Sequence, residues 1–234
     1  MTKCLKNKII AISGLKNSGK DVSANIMLYL QNTPKIFHHY WIYKLFPKLN
    51  IKRLWTKVSF AETLKAMLAL LLKVNINNFN DRTFKEQYCI DFNSFTLYNS
   101  SCTDKILPDN KFSKLAKDLS INIKDNYLTI RQLMQYFGTE IMRKYFGDQL
   151  WCLSTLRSAE HSNIIVSDLR FKVEAEEVKK QHGILIYIDR PGTVVGNHAS
   201  EREVFELREN GYFDYIVQNN GDLKDLFNKL KEII

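Results

Sequence analysis

Residues 8–31 place a short β-branched run, a glycine loop and an apolar-periodic segment in direct succession, and this order leaves little choice of local fold. Lys8–Ser13 (KIIAIS) stops at Gly14 and has the continuous apolar character of a strand buried on both faces. Gly14-Leu15-Lys16-Asn17-Ser18-Gly19-Lys20 then matches Gly-x-x-x-x-Gly-Lys, and Val22, Ala24, Ile26, Met27 and Leu30 recur at helical spacing over Asp21–Gln31. Glycines let such a loop wrap closely around phosphate with successive N–H groups pointing inward. The helix that follows adds its dipole, and the lysine reaches the β- and γ-phosphates of a bound nucleotide. A glycine turn without a ligand is the competing reading, and the strand–loop–helix context weighs against it. The candidates that line the loop are Gly14, Lys16, Asn17, Ser18, Gly19, Lys20, Asp21 and Val22.

After the lysine this motif ordinarily carries Ser or Thr, whose hydroxyl touches magnesium. Asp21 stands there instead. Its carboxylate either holds Mg2+, directly or through water, or caps the helix. Further along, Val58–Phe60 is expected to be a second strand leading into an apolar helix at Ala61–Lys73, and Thr129–Tyr145 a long amphipathic helix capped by Thr129. The last third alternates strands at Asn163–Ser167, Ile184–Asp189 and Tyr215–Gln218 with helices at Lys172–His182, Glu201–Asn210 and Leu223–Ile234. Such alternation predicts an α/β fold in three α/β/α layers around a mostly parallel sheet. Two stretches, 34–56 and 92–126, interrupt the pattern and read as insertions in a single domain spanning 1–234. Basic and aromatic residues interleave in the first, and it is expected to pack on the sheet's edge or on a second subunit.

Composition narrows the partners. At 45% hydrophobic and 12% aromatic residues the 234-residue chain can bury a sizeable core, which excludes wholesale disorder. Its longest apolar runs, such as Met67–Leu72, fall well short of the roughly 20 residues that span a bilayer. The N-terminal apolar run is too short for a secretory signal, and the cysteines at 4, 89, 102 and 152 show neither disulfide-framework nor zinc spacing. These features predict a cytoplasmic protein with reduced thiols. Thirty-four Lys and Arg against 25 Asp and Glu leave a net charge of +9 and point to an anionic partner, whether nucleic acid, a membrane surface or phosphorylated metabolites.

Several motifs taken together resemble the phage and viral deoxynucleoside monophosphate kinases. They are Gly-Leu-Lys-Asn-Ser-Gly-Lys-Asp at 14–21, Phe60-Ala61-Glu62-Thr63-Leu64-Lys65, the Arg131-Gln-Leu-Met-Gln-Tyr-Phe-Gly-Thr-Glu140-x-x-Arg143 helix, Ser167-Asp-Leu-Arg-Phe171 and His198-Ala-Ser-Glu201. That family has a P-loop nucleoside-monophosphate-kinase fold, and its loop commonly ends Gly-Lys-Asp, so the resemblance accounts for Asp21. It covers about 8–31, 58–90, 128–157 and 164–233 and leaves both insertions out. Animal-type phosphomevalonate kinase resembles the loop, the Ser-Asp-x-Arg strand end and the Asp-Tyr-Ile-Val stretch nearly as well, while the Gln135–Arg143 helix favours the nucleotide kinase.

The resemblance implies phosphoryl transfer from ATP, with Mg2+, to a (deoxy)nucleoside 5′-monophosphate for nucleotide supply. Lys20, Arg170 and Asp168 would be catalytic, Asp21 and Asp168 would hold the metal, and Arg190 would join the ATP-binding loop. Lys65, Arg131, Gln135, Thr139 and Arg143 would bind the acceptor. Asp168 and Arg170 sit where a buried strand ends, on the side where open parallel sheets bind ligands, with a structural ion pair as the less favoured reading. On the 129–145 helix Gln132, Gln135, Thr139 and Arg143 are three or four apart and would share one polar face, open either to solvent or to a nucleotide. Residues 190–200 form a glycine-bearing loop suited to closing over phosphates as a lid, Ser200 and Glu203 have capping-box spacing, and Asn219-Asn220-Gly221 reads as a turn near the donor base in the family. The expected partners are small molecules, not a specific nucleic acid or a membrane, with a homodimer left open. The rivals are a phosphomevalonate-type kinase and a basic nucleic-acid-binding ATPase.

Overall fold

The computed structural model describes residues 8–46, 54–91, 96–99, 128–159, 162–196 and 199–234. They fall into two compact units, 1–61 with 151–234, and 62–150. In chain order the first unit opens with β1 (Ile9–Ser13), α1 (Lys20–Asn32), the short α2 (Tyr40–Tyr43) and β2 (Trp55–Val58). The second unit holds α3 (Glu62–Leu72), α4 (Arg82–Gln87), β3 (Tyr88–Asp91), β4 (Thr96–Asn99), β5 (Leu128–Thr129) and a helical run, α5, made of Ile130–Gln135, a π-helix at Tyr136–Arg143 and a last turn at Lys144–Phe146. Next come α6 (Leu150–Ser158), which carries the chain back into the first unit, β6 (Asn163–Leu169), α7 (Lys172–Lys180), β7 (Ile184–Asp189), α8 (Ala199–Glu209), β8 (Tyr215–Gln218) and α9 (Leu223–Lys231).

The first unit is a five-stranded sheet in the order β2-β6-β1-β7-β8, every neighbouring pair parallel. β1 lies in the middle, hydrogen-bonded on both edges, with Ile10 opposite Ile165 on one side and Ile184 on the other. All five of its residues are buried, which is why it reads as an unbroken apolar run. Side chains alternate across the sheet: Ile10 and Ile12 join Met27, Leu30, Phe227 and Leu230 in the core beneath α1 and α9, and Ile9 and Ala11 turn to the opposite face. The second unit is built on a three-stranded antiparallel sheet, β4-β3-β5, with Leu64, Leu68, Phe79, Phe84, Ile90, Ile130 and Leu133 buried in it.

Three expectations change on contact with the structure. The second strand starts and ends earlier than predicted, at Trp55–Val58, because residues 59–61 turn to bind an aspartate from β6. Of the first insertion, the part before residue 47 packs on α1 and α9, with Tyr43 and Phe46 edge-on to Tyr29 and Tyr40 and Tyr43 against Phe227, while its last residues, Trp55 and Thr56, begin the edge strand β2. Asn32 closes the excursion, its amide nitrogen donating to the carbonyls of Leu28 (2.9 Å) and Trp55 (3.1 Å) and its oxygen accepting the N–H groups of Leu54 and Trp55. Thr129 caps α5 in a reciprocal box with Gln132 as predicted, but the π-helix that follows breaks the 3.6-residue period. Of the second insertion only 96–99 is described, as a strand; the remainder lies outside the described residues.

Candidate active site

The loop after β1 is shaped by glycine where no other residue fits. Gly14 has φ +151°, and a Cβ there would come within 2.7 Å of the Ile188 carbonyl; Gly19 has φ +96° and would meet the Asn219 amide nitrogen at 2.6 Å. Asn17 adopts the left-handed conformation, φ 66°, which its side chain tolerates better than most. Within the loop the Leu15 carbonyl accepts the Ser18 N–H (3.1 Å) and the Lys20 ammonium (3.3 Å). The Ser18 hydroxyl is buried without a partner, its side chain 1% exposed. Ser23 returns its hydroxyl to the Gly19 carbonyl (3.0 Å) inside α1, so the nearest hydroxyl to the missing Ser or Thr is engaged there. Asp21 lies exposed in the first turn of α1, as do Lys16 and Val22 at the loop's outer surface.

Charges converge on Lys20. Burial, and after it the Arg170 guanidinium, lower its pKa, while Asp21, Asp168 and Glu201 act to raise it. Arg170 is exposed just beyond β6, next to β1, and its backbone N–H, with that of Phe171, is held by the Glu174 carboxylate (2.8 and 3.0 Å), itself only 2% exposed. Asp168 takes the turn after β2: one oxygen accepts the Ser59 hydroxyl (2.6 Å) and the Ala61 N–H (3.1 Å), the other the Phe60 N–H (2.7 Å). Its carboxylate therefore ties two strand ends together besides lying near the lysine.

Arg190 is exposed directly after β7, and the loop it opens is folded inward at Val195, which packs with Leu15 of the glycine loop, Tyr187 and Val204. Glu201 holds that loop by accepting the Gly196 N–H (2.8 Å). Residues 197 and 198 lie outside the described residues, and with them His198. The capping box expected of Ser200 and Glu203 is not formed: α8 already begins at Ala199, and Glu203 accepts the Lys172 N–H (2.6 Å) at the start of α7.

The second unit carries the other candidates. Lys65 donates to the Asn80 side chain (2.9 Å) and stands 3.7 Å from Glu62; Arg131 pairs with Glu86 (3.1 Å), which also binds Arg82. The four residues expected to share a polar face differ in exposure along α5. Gln132 is exposed and Gln135 and Thr139 are half-buried, whereas Arg143 is 6% exposed and donates to the Asp148 carbonyl (3.0 Å). From Tyr136 to Arg143 the run is a π-helix, so the α-helical period assumed for the expected face holds only as far as Gln135.

Sequence reasoning missed Ser59 and read Asn219 only as part of a turn near the donor base. Ser59 binds Asp168, and Asn219, buried at the end of β8, donates its amide N–H to the Ser18 carbonyl (2.8 Å). Their shared signal is position: each follows the last residue of a strand in a parallel sheet, at the ends where the glycine loop also lies. Among the described residues no group of three or more His, Cys, Asp or Glu could form a metal cluster, no helix is long and apolar enough to cross a membrane, and Cys89 and Cys152 are free thiols.

A central strand running into a glycine loop, a lysine at the head of the next helix and an arginine from the neighbouring strand end define a P-loop phosphotransferase of the α/β class. The model of the deoxynucleotide monophosphate kinase family matches residues 60–230, well over half of the chain, and the chain belongs to that family. A protein of Acanthamoeba polyphaga mimivirus given the same name is 30% identical over 117 residues, 44% of this chain and 59% of that protein. The deoxynucleotide monophosphate kinase of Escherichia phage RB69 is 23% identical over 97% of this chain and 99% of its own length. The match thus spans less than two thirds of the mimivirus relative. A solved dephospho-CoA kinase from Campylobacter jejuni aligns over 96% of this chain and 94% of that one, at 14% identity and a TM-score of 0.36.

Proposed function

We propose that the protein transfers the γ-phosphoryl group of ATP to a deoxynucleoside 5′-monophosphate, giving ADP and the deoxynucleoside diphosphate. The glycine loop carries this reading: a buried hydroxyl with no protein partner at Ser18 and a cation at Lys20 meet in a cradle that a Cβ at Gly14 would fill. An orphaned buried donor costs about 1–3 kcal/mol, and a phosphate oxygen is an acceptor that removes the cost. The family match supports a nucleoside monophosphate as acceptor.

Phosphoryl transfer asks little covalent work of a protein; positioning and charge neutralisation carry the rate. Lys20 follows the β- and γ-phosphates, Arg170 neutralises charge on the transferring group, and Arg190 binds the donor phosphates. Asp21 and Asp168 suit Mg2+ as hard oxygen donors, Asp21 being exposed at the loop's end and one Asp168 oxygen taking a single hydrogen bond. The metal, when bound, offsets charge on the β- and γ-oxygens. In the second unit Lys65, Arg131 and Arg143 supply cations for the acceptor phosphate, and Gln135 and Thr139 supply hydrogen bonds for its base. The reaction belongs to the cytoplasm, the host's for a virus-encoded chain, and needs neither a nucleic acid nor a membrane partner.

The test is a panel of ATP with Mg2+ against each deoxynucleotide monophosphate, each ribonucleotide monophosphate and phosphomevalonate, read as ADP formed. ADP release with one or more deoxynucleotide monophosphates is expected. ADP from phosphomevalonate alone, or from none of the acceptors, would overturn the reading.

A further inference from the structure

We infer that Asn219 is a positioning residue for the phosphate loop: its amide fixes the Ser18–Gly19 peptide so that the Gly19 N–H faces the bound phosphates. The inference rests on the reading of the loop as the ATP site. Asn219 is 201 residues from Ser18 in the chain, yet its side-chain nitrogen donates to the Ser18 carbonyl at 2.8 Å, and both groups are buried. In a planar trans peptide the carbonyl and the following N–H point in opposite directions. With the Ser18 carbonyl held toward Asn219, the Gly19 N–H is turned away from Asn219, and among the described residues no hydrogen bond occupies that N–H. The Ser18 N–H, by contrast, is already engaged with the Leu15 carbonyl. Gly19 is thus a free donor that this loop can offer phosphate, and its direction is set from outside the loop.

Asn219 is itself held by its backbone, and the residues around it are tied in turn. Its backbone N–H donates to the Asp189 carbonyl (2.6 Å) at the end of β7, and the Asp189 carboxylate accepts from Arg208 and Gln218, 3.0 Å each. Lys229 of α9 ties the same turn by donating to the Gln218 carbonyl (2.9 Å) and the Asn220 side chain (2.7 Å). Its amide also sits where a Cβ on Gly19 would be, so the glycine at 19 and the asparagine at 219 require each other.

Calorimetric titration of ATP and of inorganic tripolyphosphate, each with Mg2+, into the wild type, Asn219→Ala, Asn219→Asp and Lys229→Met tests the inference, with melting temperatures and steady-state KM values taken alongside. Asn219→Ala is expected to weaken ATP and tripolyphosphate together by about five- to tenfold, the worth of one orienting hydrogen bond. KM for ATP rises by the same factor and KM for the monophosphate does not change. Asn219→Asp keeps the volume but turns an acceptor toward the Ser18 carbonyl, so it weakens both ligands at least as much, and it carries the test if the alanine variant does not fold. Lys229→Met loosens the turn without touching the loop and weakens both ligands by a smaller factor. Weaker ATP binding with tripolyphosphate unchanged would mean a contact to the base and would overturn the inference, as would Asn219→Asp binding like the wild type. A wild type that binds neither ligand would overturn the ATP site and the inference together. One that binds both yet phosphorylates no monophosphate would overturn the kinase reading alone.

Discussion

Lys20 carries its charge against two opposing influences, burial first and the nearby Arg170 guanidinium second, and its pKa lies below the ordinary lysine value as a result. Between that lowered value and the ordinary one, the unfolded chain holds a proton that the folded protein lacks. The group's contribution to stability therefore rises with pH across that window. Lys20→Met removes both the cost and the pH dependence. Its melting temperature at neutral pH is expected to match or exceed the wild type's, and to lose the part of the rise at alkaline pH that Lys20 supplies. Turnover should fall on the order of 100- to 1000-fold or more, as when one preorganised transition-state donor is lost. A folded Lys20→Met with normal turnover would contradict the role given to the loop. Asp168 acts in the other direction, because three donors converge on its carboxylate. Asp168→Asn presents an N–H to donors that need an acceptor, and should lower the unfolding free energy in urea by about 1.5–3 kcal/mol, the worth of a hydrogen bond to a charged group. A variant as stable as the wild type would show that the strand-end tie is dispensable.

At the level of elements, the first insertion behaves as core. Phe46 is buried, 5.1 Å from the Tyr29 ring in an edge-on pair, and belongs to the cluster that holds α1 against α9. Phe46→Ala is expected to cost about 3–5 kcal/mol, the range for deleting a buried aromatic ring. Trp41→Ala, earlier in the same segment but 65% exposed, should stay within about 0.5 kcal/mol. Equal effects in chemical denaturation would show that the segment does not pack on the two helices. Excising 35–53 would strip Tyr43 and Phe46 from Tyr29 and Phe227 and is expected to destabilise the first unit. Within the π-helix of α5, Gly138 lies against Leu64, where an added Cβ would stand 2.8 Å from a Leu64 methyl carbon.

Over the whole molecule the +9 net charge needs no nucleic acid to account for it. A protein that lines phosphate contacts along DNA loses affinity with a slope of about −0.7 to −0.9 in log salt per phosphate neutralised. A kinase that grips one small nucleotide makes few such contacts. Monophosphate turnover should therefore vary shallowly between low and physiological ionic strength, and binding of single-stranded oligonucleotides, followed by fluorescence anisotropy, should be weak and lost at physiological salt. Tight oligonucleotide binding at physiological salt with no ADP formed from any monophosphate would favour the ATPase reading.

The strand, loop and helix of residues 9–32 were legible because each depends on neighbours in sequence: a run of β-branched residues, glycines at the positive-φ positions 14 and 19, and an apolar period of 3.6. The same locality made the βα alternation of residues 163–231 readable in order and type, with element ends off by up to three residues. What sequence could not supply were the pairings that join distant strand ends. Asp168 meets Ser59 across 109 positions and Asn219 meets Ser18 across 201, and only the order β2-β6-β1-β7-β8 brings them into reach. The π-helix in α5 was illegible for a related reason: helical spacing assumes one hydrogen-bond period throughout, whereas Tyr136–Arg143 adopts wider turns, and Arg143, expected on a polar face, is 6% exposed. Sequence alone determined that a phosphate loop would form and where; the tertiary structure decided which distant side chains hold it in shape, because those bonds exist only once the sheet is assembled.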